Sequence, residues 1–286
     1  MLDLHAHTTY SDGSLTPAEL VSAAKTAHLQ ALAITDHDTI GGWKDAITAA
    51  GTDLEIVPGL ELSTSYGGRS LHILGYYPDP EKLAPPLEER LAGRHRRAAR
   101  IAHKLAVLGY PIELPQLKGG QAPGRPHLAK ALIQAGHATS MQEAFRRWLR
   151  DDGPAYVNYE KFSAVEGITL LRDCGAVPVW AHPYLFRGGK LDDVMAEMVE
   201  AGLMGIEVYH PGQRLSQQEN LLAWCERAQL IATGGSDYHG PDSGVELTSL
   251  NQFKLPLAIL EQLKTAATSL STSANRLPMG GVPANG

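Results

Sequence analysis

The stretch Asp3-Leu4-His5-Ala6-His7-Thr8, with Ser11-Asp12-Gly13 just beyond, places two imidazoles one residue apart at the end of a short apolar run. In a β-strand, residues i and i+2 share a face, so His5 and His7 can close on one ion. On its own the pair reads equally well as two surface histidines near a terminus. The same kind of residue recurs, however, wherever a later strand-like run ends. Ala31-Leu32-Ala33-Ile34-Thr35 empties into Asp36-His37-Asp38, and Leu54-Glu55-Ile56-Val57-Pro58-Gly59-Leu60 leads to Glu61. Ser70-Leu71-His72-Ile73-Leu74-Gly75-Tyr76 carries His72 inside a strand-like segment. Later runs deliver His182-Pro183, His210-Pro211 and Asp237-Tyr238-His239.

Helical patterns with start signals lie between these runs. Thr16-Pro17-Ala18-Glu19 combines an N-cap hydroxyl, a proline at the first helical position and a glutamate at the third. Ser163-Ala164-Val165-Glu166 and Ser216-Gln217-Gln218-Glu219 repeat the box. Apolar strands alternating with capped helices predict an α/β protein whose parallel sheet is covered by helices. If that sheet closes into a barrel, the polar strand ends meet at one rim, where barrel enzymes place their chemistry.

The pattern breaks after Pro78-Asp79-Pro80 and Pro85-Pro86, and 82–160 read as several helices without a strong strand. The expected organisation is a discontinuous barrel over 1–81 and 161–268, a helical cap over 82–160, and a flexible Gly/Pro-rich tail over 269–286. With 286 residues, 43% hydrophobic and 20% charged, the chain can bury a large core. It has no uninterrupted apolar stretch of membrane-spanning length and no signal peptide pattern. Cys174 and Cys225 form no C-x-x-C pair, so a disulfide framework is not expected and the cytoplasm is the default location.

His5, His7, Asp12, His37, Glu61, His72, His182, Asp237 and His239 are too many ligands for one ion, so two or three clustered divalent ions are implied. Imidazole and carboxylate without thiolate suit manganese, iron or zinc and do not rank them; manganese is taken as the first expectation.

Together, His5-Ala6-His7-Thr8 with Ser11-Asp12-Gly13, Ile34-Thr35-Asp36-His37-Asp38, Gly59-Leu60-Glu61, Ala181-His182-Pro183 and Gly235-Ser236-Asp237-Tyr238-His239 resemble the successive motifs of the PHP (polymerase and histidinol phosphatase) family. The resemblance runs in order from residue 1 to about 250. It implies a distorted (β/α)7 barrel with a trinuclear site. Within the family the chain is most similar to the stand-alone bacterial nucleoside 3′,5′-bisphosphate phosphatases, also described as 5′-to-3′ exoribonucleases. Carried over by position, it implies that His5, His7, Glu61 and Asp237 hold a first ion. Glu61 would bridge to a second held by His72 and His182, and Asp12, His37 and His239 would hold a third. Asp36 and Asp38 then read as carboxylates that orient ligand imidazoles.

Clustered divalent ions neutralise an anionic phosphate ester and generate hydroxide near neutral pH, so the expected nucleophile is a metal-bridging hydroxide. His210 is a candidate general acid or phosphate contact, or simply a histidine bonded within a His-Pro turn. Arg90, Arg94, Arg96, Arg97, Arg100 and Lys104 form a basic helix in a chain of net charge −6, for most of them a solvated face rather than a phosphate landing surface. The stronger candidate is Gly124-Arg125-Pro126-His127-Leu128-Ala129-Lys130, a loop opening a helix. There Arg125, with His127 and Lys130 as companions, could grip a non-reacting phosphate.

The expected partner is therefore a nucleotide or a short 5′-phosphorylated oligonucleotide, with no obligate protein partner and no membrane. Aromatic residues are only 6% of the chain, without the basic-aromatic alternation of single-strand binders. Three other readings compete with this one. A histidinol-phosphate-type phosphatase would use the same metals. A non-catalytic metal-stabilised module is disfavoured because every expected ligand is present. A haloacid-dehalogenase-type enzyme, with Asp36 as nucleophile and Asp237 and Asp242 on magnesium, would leave the histidines unexplained.

Overall fold

A computed structural model of the chain describes residues 1–117, 122–158, 162–241, 243 and 248–274; Asp242 and the stretch 275–286 lie outside it. Seven strands form one sheet in chain order: β1 (Leu2–Asp3), β2 (Ala31–Ile34), β3 (Glu55–Tyr66), β4 (Arg69–Tyr76), β5 (Val177–Trp180), β6 (Gly205–Tyr209) and β7 (Ile231–Gly234). The sheet curls until its ends meet. Leu4 N–H donates to the Gly234 carbonyl at 3.3 Å and His7 N–H to the Tyr238 carbonyl at 2.9 Å. Gly235 permits this closure, because a Cβ there would sit 2.4 Å from the His5 Cβ.

Pairings within β1–β3 and within β5–β7 are parallel, but β4 runs antiparallel to both β3 and β5, which corrects the expectation of a parallel sheet. The cause is local. Gly67 and Gly68 have φ of 56° and 78°, and this two-residue turn of left-handed glycines folds β3 straight back into β4. His72 consequently lies within its strand, opposite Ser63, rather than at a strand end.

Helices cover the sheet. The boxes at Thr16/Glu19 and Ser163/Glu166 open α1 (Pro17–Thr26) and α6 (Ala164–Asp173) as expected. The box at Ser216 is not used: α8 (Leu215–Ala228) starts earlier, and the Gln217 side chain accepts from the Arg214 N–H at 2.8 Å. α1 and α2 (Trp43–Ala50) enclose Leu32 and Ile34 with Leu20, Ala46 and Trp43. α6, α7 (Leu191–Glu200) and α8 pack Ile168, Met195 and Leu221 against Leu62, Ile73 and Ile206. α9 (Ala258–Ala274) lays Ile259, Leu260 and Leu263 on Leu2, Val57 and Val177, away from the rim. The expected tail thus begins within a helix, and Leu270 joins this packing.

Between β4 and β5 the chain is helical. α3 (Pro80–Val107) is capped by Asp79, starts on Pro80 and continues through Pro85 and Pro86; its Leu83 and Leu87 belong to the barrel's outer layer. α4 (Arg125–Gln134) and α5 (Met141–Ala144), which runs on into a π-helical turn (Phe145–Leu149), share a separate apolar cluster with the end of α3, built from Ile101, Leu105, Leu128, Leu132, Trp148 and Val157.

Candidate metal centre

The loops after β1, β2, β5 and β7, together with Glu61 within β3 and His72 within β4, deliver their side chains to one point. His5 Nε2 and His7 Nε2 are 3.2 Å apart, each 3.3 Å from Glu61 Oε2 and 3.2 Å from Asp237 Oδ1. Ligands about 2.0–2.2 Å from one ion stand roughly 3.0–3.5 Å apart, depending on coordination geometry, so one cation fits among these four atoms. Glu61 also reaches outward. Its Oε1 is 2.7 Å from His72 Nδ1 and 3.0 Å from His182 Nε2, and its Oε2 is 3.3 Å from His37 Nδ1. Asp12 lies between His37 Nε2 at 3.8 Å and His239 Nε2 at 3.4 Å. All nine residues singled out in the sequence therefore converge. His37 faces both Asp12 and Glu61, so it borders two of the three groups.

Backbone turns aim these groups. Asp38, His182 and Asp237 are non-glycine residues with φ of 52°, 35° and 52°, each shortly after a strand end. Such left-handed residues are uncommon and gather where a side chain must be redirected.

The supporting groups differ from expectation. Asp36 accepts from Thr8 N–H, Thr8 Oγ1 and Ser11 Oγ, each at 2.7 Å. It orders the loop after β1, and Ser11 Oγ in turn lies 3.3 Å from His7 Nδ1. So enclosed, Asp36 has no open face for a phosphoenzyme. Asp38 does not hold an imidazole; it accepts from Ser63 N–H at 2.8 Å and pairs with Arg94 at 2.8 Å and Arg90 at 3.5 Å. The carboxylate that does orient a ligand is Glu207, whose role sequence reasoning missed. Its Oε1 is 2.8 Å from His5 Nδ1, and its Oε2 accepts the His182 N–H at 2.8 Å. The available signal was a glutamate inside an apolar strand, Gly205-Ile206-Glu207-Val208. His210 has both ring nitrogens engaged: Nδ1 accepts from Gly212 N–H at 3.0 Å, and Nε2 faces Asp237 Oδ2 at 3.3 Å.

The electrostatics are those of a cation site. Burial alone would lower the His7 imidazole, but bonds to Asp237 and Glu61 outweigh it and raise its pKa to about 10. His5 is raised well above its ordinary value, against burial, by Glu207, Asp237 and Glu61. Burial holds His37 down at about 4. Asp12, Glu61 and Asp237 lie well below the usual carboxylate range, because the surrounding imidazoles overcome burial. Asp12 Oδ1, His37 Nδ1 and Asp237 Oδ1 are buried without a hydrogen bond. Buried polar atoms are normally paired. Each instead faces other members of the cluster, as metal ligands do: Asp12 Oδ1 lies 3.4 Å from His239 Nε2, His37 Nδ1 3.3 Å from Glu61 Oε2, and Asp237 Oδ1 3.2 Å from His5 and His7 Nε2.

Two cavities open beside the cluster. One, of about 160 Å³, is lined by His72, His182, Ser70, Trp180 and Arg125. Arg125 Nη1 there donates to Asp151 Oδ1 at 2.6 Å and to the Leu149 carbonyl at 3.2 Å. His127, at the start of the same helix, is lowered mainly by burial, helped by Lys130 and Arg94 and opposed by Asp12. Its Nδ1 accepts from Gly124 N–H at 3.2 Å, so it caps its own helix. The second cavity, of about 300 Å³, lies between His37 and α3.

A nearly closed seven-stranded α/β barrel with an imidazole-carboxylate rim defines a barrel metallohydrolase. The chain belongs to the PHP family, whose domain model matches residues 3–107. It is 34% identical over 253 residues to a 5′-3′ exoribonuclease of Haemophilus influenzae, covering 86% of this chain and 92% of that one. It is 31% identical to a 3′,5′-nucleoside bisphosphate phosphatase of Chromobacterium violaceum, over 85% of this chain and 88% of the relative. Among solved structures, a Bifidobacterium adolescentis protein described as an inferred metal-dependent phosphoesterase superposes with a TM-score of 0.84 at 31% identity, covering 93% and 96% of the two chains.

Proposed function

We propose that the chain is a metal-dependent phosphoesterase that removes the 3′-phosphate from nucleoside 3′,5′-bisphosphates, and that the same site hydrolyses short 5′-phosphorylated RNA in the 5′-to-3′ direction. The observation that carries this reading is the convergence of His5, His7, Glu61 and Asp237 at 3.2–3.3 Å, flanked by further imidazole and carboxylate groups. The names of the Chromobacterium and Haemophilus relatives support the substrate class. Manganese is the first choice of ion, with iron or zinc as alternatives.

In this reading His5, His7, Glu61 and Asp237 hold a first ion, Glu61 with His72 and His182 a second, and Asp12, His37 and His239 a third. Bound divalent ions would neutralise the phosphate oxygens and lower the pKa of water. The protein does the rest. Glu207 fixes the His5 tautomer, with Nδ1 toward Glu207 and Nε2 toward the centre. His210 turns Asp237 through Oδ2, leaving Oδ1 for the ion, and acts as a positioning residue rather than an acid. Arg125, with His127 and Lys130 on the same helix, takes the non-reacting phosphate in the smaller cavity, exchanging part of its Asp151 contact for the ligand. Residues 82–160 serve as a cap that carries this clamp to the rim. Cys174 and Cys225, buried and unpaired, favour a reducing cytoplasm, and among the described residues no helix is long and apolar enough to cross a membrane. No obligate protein partner is invoked.

The test is phosphate release from adenosine 3′,5′-bisphosphate by manganese-loaded protein, with chromatography of the nucleoside product. Formation of 5′-AMP is expected. Formation of 3′-AMP would reverse the assignment of the two phosphates, and release only from histidinol phosphate would overturn the substrate class.

A further inference from the structure

The two cavities beside the metal centre differ in chemistry. The smaller places the Arg125 guanidinium beside His72 and His182. The larger, of about 300 Å³, is lined mainly by apolar side chains such as Ile40, Leu87 and Leu91, with Tyr10 beside Gly41 and with His37, and its wall also carries Arg94 and Glu88. Tyr10 is held as a fixed plate. Its hydroxyl donates to Asp45 Oδ2 at 3.0 Å, and a Cβ on residue 41 would lie only 2.7 Å from its Cδ1. A ring anchored at its tip and packed on backbone has already lost the freedom that stacking would otherwise cost.

We propose that this cavity is the nucleobase subsite, with Tyr10 as the stacking platform and Gly41 as the residue that sets its position. The inference rests on the nucleotide reading above and names where the substrate's base goes. A nucleoside 3′,5′-bisphosphate has three arms, and the site has three matching environments. The reacting phosphate meets the imidazole-carboxylate rim, the other phosphate meets Arg125, and the base enters an apolar slot that shares His37 with the rim. Most of the polar side chains on its wall are engaged within the chain: Arg94 pairs with Asp38 at 2.8 Å, Ser11 Oγ donates to Asp36, and Thr39 Oγ1 accepts from Gly41 N–H. Stacking is tolerant of base identity. The subsite therefore selects first for the presence of a base.

The experiment compares kcat/KM for adenosine 3′,5′-bisphosphate with that for its base-free counterpart, 1,4-anhydroribitol 3,5-bisphosphate. A stacked base predicts a preference of roughly tenfold or more in the wild type. Tyr10→Ala should shrink this ratio several-fold. Gly41→Ala should do the same by displacing the ring while leaving its chemistry intact, and Tyr10→Phe, which keeps the ring but loses its anchor, should lower the ratio less than Tyr10→Ala. Equal kcat/KM for the two compounds in the wild type, or a ratio unmoved by both Tyr10→Ala and Gly41→Ala, overturns the subsite while leaving the phosphatase reading standing. If neither compound is hydrolysed, the bisphosphate reading falls, and binding decides the subsite. Tyr10→Trp protein should then show fluorescence quenching by 5′-AMP that ribose 5-phosphate does not produce, whereas equal responses to the two would overturn the proposal.

Discussion

The rim of the barrel and the helices beside it treat buried charge in opposite ways. In the helical region, the arginines that reach inward meet a partner: Arg90 and Arg94 meet Asp38, Arg97 donates to the Val157 carbonyl at 2.8 Å, and Arg125 meets Asp151. At the rim, carboxylate oxygens and imidazole nitrogens face one another, and Asp12 Oδ1, His37 Nδ1 and Asp237 Oδ1 are buried without a hydrogen bond. Satisfied charges rigidify a scaffold, whereas unsatisfied ones are tolerated only where a ligand completes them. The helical arginines are answered by groups of the chain itself, whereas the rim groups are arranged as ligands that could hold cations.

The largest effect should therefore come from the rim. Glu61→Gln keeps shape but removes the charge shared by several imidazoles. It should lower phosphate release by roughly a thousandfold, a loss of several kcal/mol in transition-state stabilisation. Elemental analysis of the purified variant should show fewer ions per chain than the wild type. Full metal content with unchanged activity would sink the bridging role. Chelation of the wild type should lower its melting temperature, since ions that bind only the folded chain stabilise it by mass action.

The helical region should respond in stability first. Asp38→Asn tolerates the left-handed backbone but strands Arg90 and Arg94, and should cost about 3 kcal/mol in urea unfolding. Although burial opposes it, the pair of arginines holds the Asp38 carboxyl below its ordinary range. Its contribution is thus complete above that range and fades as pH falls through the depressed value. A loss of activity at unchanged stability would mean that Asp38 belongs functionally to the rim.

Arg125 sits on the boundary between the two regions, ion-paired like the scaffold but lining a cavity with His72 and His182. Arg125→Met should reduce kcat/KM for a nucleoside 3′,5′-bisphosphate by roughly 10- to 100-fold more than for a simple monoester, the range of a charge-assisted bond. Equal losses on both substrates would assign it to the scaffold.

The contrast also explains what was legible beforehand. Rim ligands were readable because strand parity fixes direction: His5 and His7 point together whatever the rest of the chain does. Glu61 and Asp237 followed because apolar runs end at them. Glu207 was not, since its meaning depends on His5, a partner 202 residues away. Asp38 looked like a ligand-orienting carboxylate by its neighbour His37, yet its partners come from α3 across the chain. The reversal of β4 was written in Gly67-Gly68, a hairpin doublet between two strand-like runs, but the alternation of strands and helices outweighed it.

His210 offers the finest discrimination. As a general acid it would protonate the leaving oxygen, and His210→Gln would then hurt esters of poorly acidic alcohols most and spare activated aryl phosphates. As the group that turns Asp237, it acts before chemistry, on the ion. The loss should then be roughly tenfold, similar for good and poor leaving groups, and should appear as a weaker metal affinity in titrations. Both ring nitrogens are already occupied, by Gly212 N–H and by Asp237, which places His210 with the groups that shape the rim. A leaving-group dependence confined to the poor esters, at unchanged metal affinity, would move it to the acid role.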